Sequence, residues 1–205
     1  MNNDLILKIK SKLKNKNYEI VQRNGLVPAA ILLPLMFKDK ELSILFTKRS
    51  QQVKHHKGEV SFPGGVLDKS DKDFLGCALR ECEEEVGINE QNVQILGQLD
   101  DFKTVATHFI VTPFVGFIPH PYPFRVNKQE IDEVFITPIS YLLKKENYES
   151  KRMDGPDGQA FFLDYFYFED HVIWGATGYI LKKFLHLAFD FDPNPGQVDP
   201  HELLD

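Results

Sequence analysis

Glu81, Glu84 and Glu85 follow Arg80 in the run Arg80-Glu81-Cys82-Glu83-Glu84-Glu85. On a helix advancing about 100° per residue these three carboxylates share one face, while Leu75, Ala78, Leu79, Cys82 and Val86 form a separate apolar stripe. Like charges at i,i+3 and i,i+4 repel by about 0.2–0.5 kcal/mol per pair. A hard divalent cation such as Mg²⁺ or Mn²⁺ takes carboxylate oxygens and reverses that balance. A ligand present at a hundredfold over its dissociation constant stabilises the fold by about 2.7 kcal/mol. Taken alone, the same pattern also describes an acidic face turned to water. Pro63-Gly64-Gly65, just before the helix, tips the reading toward metal, because two residues without Cβ let backbone approach a bound group closely.

The elements that must hold this helix are readable on both sides. Val27–Phe37 and Leu42–Thr47 are apolar runs joined by Lys38-Asp39-Lys40-Glu41, which predicts a strand hairpin. Arg49-Ser50 and a polar loop, Gln51–Lys57, lead into Gly58. Within that loop His55 and His56 are either metal ligands or solvent-facing side chains. Gly87 is placed to cap the helix C-terminus. Val93–Leu99, Phe109–Ile118, Glu133–Thr137 and Ala160–Phe168 read as strands, with Pro113 suggesting an edge or a bulge. Ile139–Leu143 predicts a short helix and Ala176–Phe189 a longer one. Residues 1–20 contain an amphipathic helix with Leu5, Ile6, Ile9 and Leu13 on one side and Asn2, Asn3 or Asp4 as N-cap. Residues 190–205, acidic and carrying Pro193, Pro195 and Pro200, read as a loosely ordered tail. Strands and helices mix without βαβ regularity, which predicts an α+β fold, a mixed sheet packed between helices, as one domain over 1–205.

Composition narrows the function classes. With 205 residues, 42% hydrophobic and 26% charged, the chain can bury a full core. No apolar run reaches the roughly 20 residues of a membrane span, and the absence of a signal-peptide h-region makes a cytoplasmic protein the default. A net charge of −6 argues against a broad nucleic-acid surface and leaves small anionic ligands. The two cysteines, Cys77 and Cys82, point roughly 140° apart on one helix and read as reduced thiols, Cys77 near the carboxylate face. The aromatic run Phe161–Phe168 leaves three readings open: a homodimer contact, a ligand-side wall, or a buried strand.

Gly65–Ile88 resembles the Nudix box: Gly, five residues, Glu, seven residues, Arg-Glu, an apolar residue, any residue, Glu-Glu, any residue, Gly, apolar. Arg80, Glu81, Cys82, Glu84, Glu85, Gly87 and Ile88 match position by position. Asp71 stands where the first Glu is expected, and its spacing to Arg80 is one residue longer. Phe46-Thr47-Lys48-Arg49-Ser50 followed by Gly58–Gly65, together with Val111–Gly116 and Ile173–Thr177, is similar to the coenzyme A pyrophosphatase branch. Thr107-His108 departs from it.

The resemblance implies hydrolysis of a nucleoside diphosphate derivative with Mg²⁺ or Mn²⁺. It implies metal ligands at Glu81, Glu84, Glu85 and the Gly65 carbonyl, with Arg80 orienting a catalytic glutamate. It further implies a coenzyme A-like nucleotide substrate contacted by Arg49, Ser50, Gly64 and Gly65. Arg49 is the candidate for the nucleotide end, whose 3′-phosphate suits bidentate cationic recognition. Asp71 either serves the metals or caps the helix, and Glu59 is either a ligand or solvent-facing.

Overall fold

The computed structural model describes residues 2–16, 18, 25–104, 108–154 and 160–194. Residues 195–205, most of the expected tail, and Thr107 lie outside the described residues.

Two apolar runs set the frame. β1 (Val27–Lys38) and β2 (Glu41–Arg49) form the expected hairpin, with Asp39 and Lys40 at positive φ in its turn. β1 runs parallel to β7 (Phe109–Phe117) through a nine-residue register from Val27↔Phe109 to Leu35↔Phe117. The remaining strands of this eight-stranded mixed sheet pair antiparallel. They are β3 (Val60–Ser61) and β8 (Ile131–Pro138) on β2, β4 (Gly64–Val66) on β1, and β5 (Gln94–Gln98) and β6 (Phe102–Lys103) on β7. A second, three-stranded antiparallel sheet carries β9 (Tyr148–Asp154), β10 (Ala160–Phe168) and β11 (His171–Ile173).

Strand alternation sends β1 side chains into two separate cores. Ala30, Leu32 and Met36 meet Cys77, Ala78, Cys82 and Val86 of helix α2 (Phe74–Val86). Ala29, Leu33 and Leu35 face the other way, into a core shared with Ile6, Ile9 and Leu13 of α1 (Asn2–Lys14) and Leu181, Phe184 and Leu185 of α4 (Gly175–Phe189). A short helix, α3 (Ile139–Leu142), follows β8. The architecture is therefore α+β, a mixed sheet between helices. No helix among the described residues is long and apolar enough to cross a membrane.

Three local expectations change. Helix α1 already includes Asn2, so Asn2, Asn3 and Asp4 lie within its first turn rather than at an N-cap. β7 is interior, not an edge: it pairs with β1 on one side and with β5 and β6 on the other. Pro113 is tolerated there because it faces the gap between β5 and β6, where no ladder bond calls for the N–H it lacks and its carbonyl accepts the Leu99 N–H at 2.9 Å. The start of the tail is anchored as well, since Phe191 is buried and packs edge-on against Tyr148.

Candidate active site

Helix α2 has well-made ends. Asp73 caps it by accepting the Gly76 N–H at 2.8 Å, and Gly87, left-handed at φ 73°, donates to the Glu83 carbonyl at 2.9 Å. A Cβ at Gly87 would stand 2.9 Å from the Arg125 backbone nitrogen. Beyond this cap, the Arg125 and Asn127 N–H groups bond the Val86 and Glu85 carbonyls. The next loop is thus held against the helix.

Asp71 does not cap the helix; Asp73 does, and Asp71 pairs with Arg80. It receives a two-pronged contact from Arg80, Nε to Oδ1 at 2.7 Å and a terminal nitrogen to Oδ2 at 3.0 Å, with its side chain 3% exposed. The Arg80 guanidinium holds the Asp71 carboxyl down at about 2. The extra residue between Asp71 and Arg80 leaves Asp73 free to cap. Arg80 extends the same fork to Glu81 at 2.9 Å and Glu84 at 3.1 Å, so it touches all three carboxylates along its edge.

The three box glutamates do not share one environment. Glu84 is exposed, Glu81 is half-buried, and Glu85 is 2% exposed, turned inward beside the apolar stripe. Burial pushes the Glu85 carboxyl up to about 8 against the pull of Arg49, and burial likewise raises Glu81 against the pull of Arg80. Glu85 Oε2 has no hydrogen-bond partner. Cys77 is buried and still lies near the carboxylate face: its thiol reaches the Gly65 carbonyl at 3.6 Å, Arg80 donates to its sulfur at 3.8 Å, and Asp71 and Glu81 are close enough to raise its pKa. Burial lifts that thiol to about 12, which keeps it protonated.

Gly65 fits against Glu81 so closely that a Cβ would stand 2.4 Å from the carboxyl carbon. At Gly64 a Cβ would meet the Ala30 carbonyl oxygen at 2.4 Å. Both belong to β4 paired on β1, so the turn is built as a strand edge.

Arg49 ends β2 at a bulge between Lys48 and Arg49, and its terminal nitrogen lies 3.7 Å from Glu85 Oε1. Ser50, expected to contact substrate, is fully buried. Its hydroxyl accepts the Gln52 N–H at 3.1 Å and its own N–H bonds the Glu130 carbonyl, so it closes a turn and does not reach the cleft. His56 pairs with Glu59 at 2.9 Å on the surface.

Glu130 was not foreseen. It lies close enough to raise the pKa of both Glu81 and Glu85. A lone glutamate in a loop carries no spacing signal; only the Asn127 and Ser50 backbone bonds bring it there.

From Gly65 and Arg49 a cleft of about 550 Å³ extends between β1, β7 and the α4 side. His55, His56 and Glu59 line it near Arg49, while Phe102, Phe109, Phe162 and Tyr179 form its apolar walls. Of the three readings of the aromatic run, Phe162 supplies a wall and Phe166 a buried strand position.

A family model described as NUDIX domain matches residues 25–154. The chain belongs to the Nudix family. It is 39% identical over 159 residues to an uncharacterized Nudix hydrolase NudL from Photorhabdus laumondii subsp. laumondii, covering 76% of this chain and 81% of that protein. It is 33% identical over 177 residues to the peroxisomal coenzyme A diphosphatase NUDT7 of Mus musculus, covering 80% and 74%. Among solved structures, a C. elegans Ap4A hydrolase binary complex superimposes with a TM-score of 0.47 at 18% identity, over 56% of this chain and 82% of that one.

Nudix hydrolases generally use divalent metal ions. Among the described residues no three acidic, histidine or cysteine side chains are already gathered into a cage for one, because Arg80 draws Glu81 and Glu84 toward itself. The residues nevertheless fit a hard cation. The donors are carboxylate oxygens, Glu85 Oε2 is buried without a partner, and the missing Cβ of Gly65 lets the Glu81 carboxyl lie against that backbone.

Proposed function

We propose that this Nudix hydrolase cleaves the diphosphate of coenzyme A or its thioesters, yielding 3′,5′-ADP and 4′-phosphopantetheine or its acyl form. The observation that carries this reading is the mixed lining of the cleft: Arg49 and Gly65, which lie against Glu85 and Glu81, share it with Phe102, Phe109, Phe162 and Tyr179. Such a lining suits a substrate with a polyanionic centre and a long, weakly polar arm. Similarity to the mouse relative, named a peroxisomal coenzyme A diphosphatase, supports the same choice.

In this reading Glu81, Glu84, Glu85 and the Gly65 carbonyl hold Mg²⁺ or Mn²⁺. The ion, when bound, withdraws charge from the phosphate oxygens and lowers the pKa of water. The chain's own contribution is position. Arg80 fixes Glu81 and Glu84 on a rigid helix, and Asp71 fixes Arg80. The oxygen of water bonds to one phosphorus, the bridging P–O bond breaks, and the proton from water leaves with the site's basic groups. The aromatic end of the cleft receives the pantetheine arm.

Incubation with coenzyme A and Mn²⁺, alongside ADP-ribose, NADH and nucleoside triphosphates, tests the proposal by product identification. The expected product is 3′,5′-ADP. Its absence while another diphosphate is turned over overturns the coenzyme A reading.

A further inference from the structure

Arg49 is the one arginine among the described residues that line the cleft, and its surroundings are incomplete. A guanidinium offers five N–H donors in a fixed fork. Here the Nε is buried without a hydrogen-bond partner, and the recorded ion pair, to Glu85 Oε1 at 3.7 Å, is too long for a direct hydrogen bond. On the facing side Glu85 Oε2 is equally unpartnered. A guanidinium and a carboxyl therefore face each other across a space where each keeps a bare polar atom. The backbone explains why they stay there. The bulge after Lys48 re-aims the strand end, and Arg49 is pinned on both sides by its N–H to the Glu59 carbonyl at 2.9 Å and its carbonyl to the Gly58 N–H at 3.1 Å. The side chain is 27% exposed and lines the cleft together with Gly65.

An arginine read only for a remote 3′-phosphate has no reason to sit against the most buried box glutamate. We infer that Arg49 contacts the scissile diphosphate itself, its free Nε and terminal N–H groups taking phosphoryl oxygens next to the group held by Glu85. Arg49 is thus a catalytic residue that counters charge at the reacting phosphorus, and Glu85 is its partner in the ligand-free protein. Recognition of the 3′-phosphate then falls to other groups. This assignment rests on the diphosphatase reading only for the choice of organic substrate; the diphosphate contact holds for any diphosphate ester.

Two measurements on the 205-residue chain test it. Coenzyme A and 3′-dephospho-coenzyme A are compared as substrates of wild type and Arg49→Gln. Loss of a contact to the reacting phosphate lowers kcat for both by the same factor, about a hundredfold, and leaves their ratio unchanged. A selective loss on coenzyme A, with 3′-dephospho-coenzyme A spared, assigns Arg49 to the 3′-phosphate and overturns the inference. The second readout needs no organic substrate. Inorganic pyrophosphate with Mg²⁺ raises the Tm of the wild type, and Arg49→Gln loses more than half of that shift while Arg49→Lys keeps part of it, since lysine retains the charge without the fork. A wild type that pyrophosphate does not stabilise, or a shift intact in Arg49→Gln, overturns the inference. If neither coenzyme is hydrolysed, the substrate reading fails while the pyrophosphate shift still decides the role of Arg49. Should Arg49→Gln fold poorly, Arg49→Lys carries the pyrophosphate comparison, a shift equal to that of the wild type overturning the inference.

Discussion

Two arginine–carboxylate pairs flank the box helix, and they are built in opposite ways. Arg80 and Asp71 are closed on each other: both prongs are made, at 2.7 and 3.0 Å, and the spare edge of the guanidinium is taken by Glu81 and Glu84. Arg49 and Glu85 are open, 3.7 Å apart, with Nε and Oε2 both bare although Glu85 is almost wholly buried. Burying polar atoms without partners is costly, and a fold that keeps such a pair spends stability on it. The closed pair holds the geometry of the helix, and the open pair keeps atoms free for ligands that arrive later. Whichever variant probes the open pair should therefore affect turnover more than stability, and the closed pair should behave the other way.

The largest effect is expected at Glu85. Glu85→Gln keeps the size of the side chain but removes a hard anionic donor, so metal-dependent turnover falls by at least about a hundredfold. The same change replaces a carboxyl that burial already holds largely protonated near neutral pH, so in metal-free buffer the Tm does not fall. A gain of about 1 kcal/mol would appear as about 2–4 °C in a chain of this size. Steady-state rates and a thermal melt on the same preparation check both halves. A variant that loses activity only because it melts earlier breaks the contrast between the two pairs.

Asp71 gives the opposite pattern. Its folded pKa, about 2, lies below the ordinary 3.8, so its ionised form is favoured in the folded state. That contribution is fully present above about pH 4 and is lost as the pH falls toward 2. The shift corresponds to about 2 kcal/mol. Asp71→Asn should lower stability by about that amount at pH 7, with the difference from wild type shrinking below pH 4. Turnover should drop more modestly, about tenfold, because Arg80 still reaches Glu81 and Glu84 but is less firmly oriented. Denaturant melts at pH 7, 4 and 3 give the comparison; a pH-independent difference sinks the assignment.

Much of this contrast was out of reach of the sequence, and the reasons are physical. Strand and helix positions were legible where apolar periodicity was strong, as in β1, β2 and α2, and the Gly87 cap followed from residue type. β9 gave no signal because Tyr148–Asp154 is a largely exposed, polar strand whose partner is supplied by β10. The parallel β1–β7 pairing makes β7 interior, which Pro113 alone argued against. In the site, one helical projection placed Glu81, Glu84 and Glu85 together but could not say which was buried, since that depends on the sheet beneath Glu85. Nor could local spacing bring Glu130 or Arg49 to the helix; a bulge and loop backbone bonds do that. Asp71 was noticed as a departure, yet its pairing with Arg80 requires knowing that Asp73 takes the cap.

The smallest expected effect is at Ser50, beside Arg49 but outside both pairs. Its hydroxyl accepts the Gln52 N–H at 3.1 Å and the residue is fully buried. Ser50→Ala leaves that N–H without its partner and costs about 1 kcal/mol of stability. Because the hydroxyl does not line the cleft, KM for the preferred diphosphate substrate should stay within about twofold of wild type, set against the about 1.4 kcal/mol that a tenfold change represents. A rise in KM with unchanged stability would return Ser50 to the substrate site. It would also mean that the turn after Arg49 opens when substrate binds, so that the arrangement around the open pair differs between the free and bound protein.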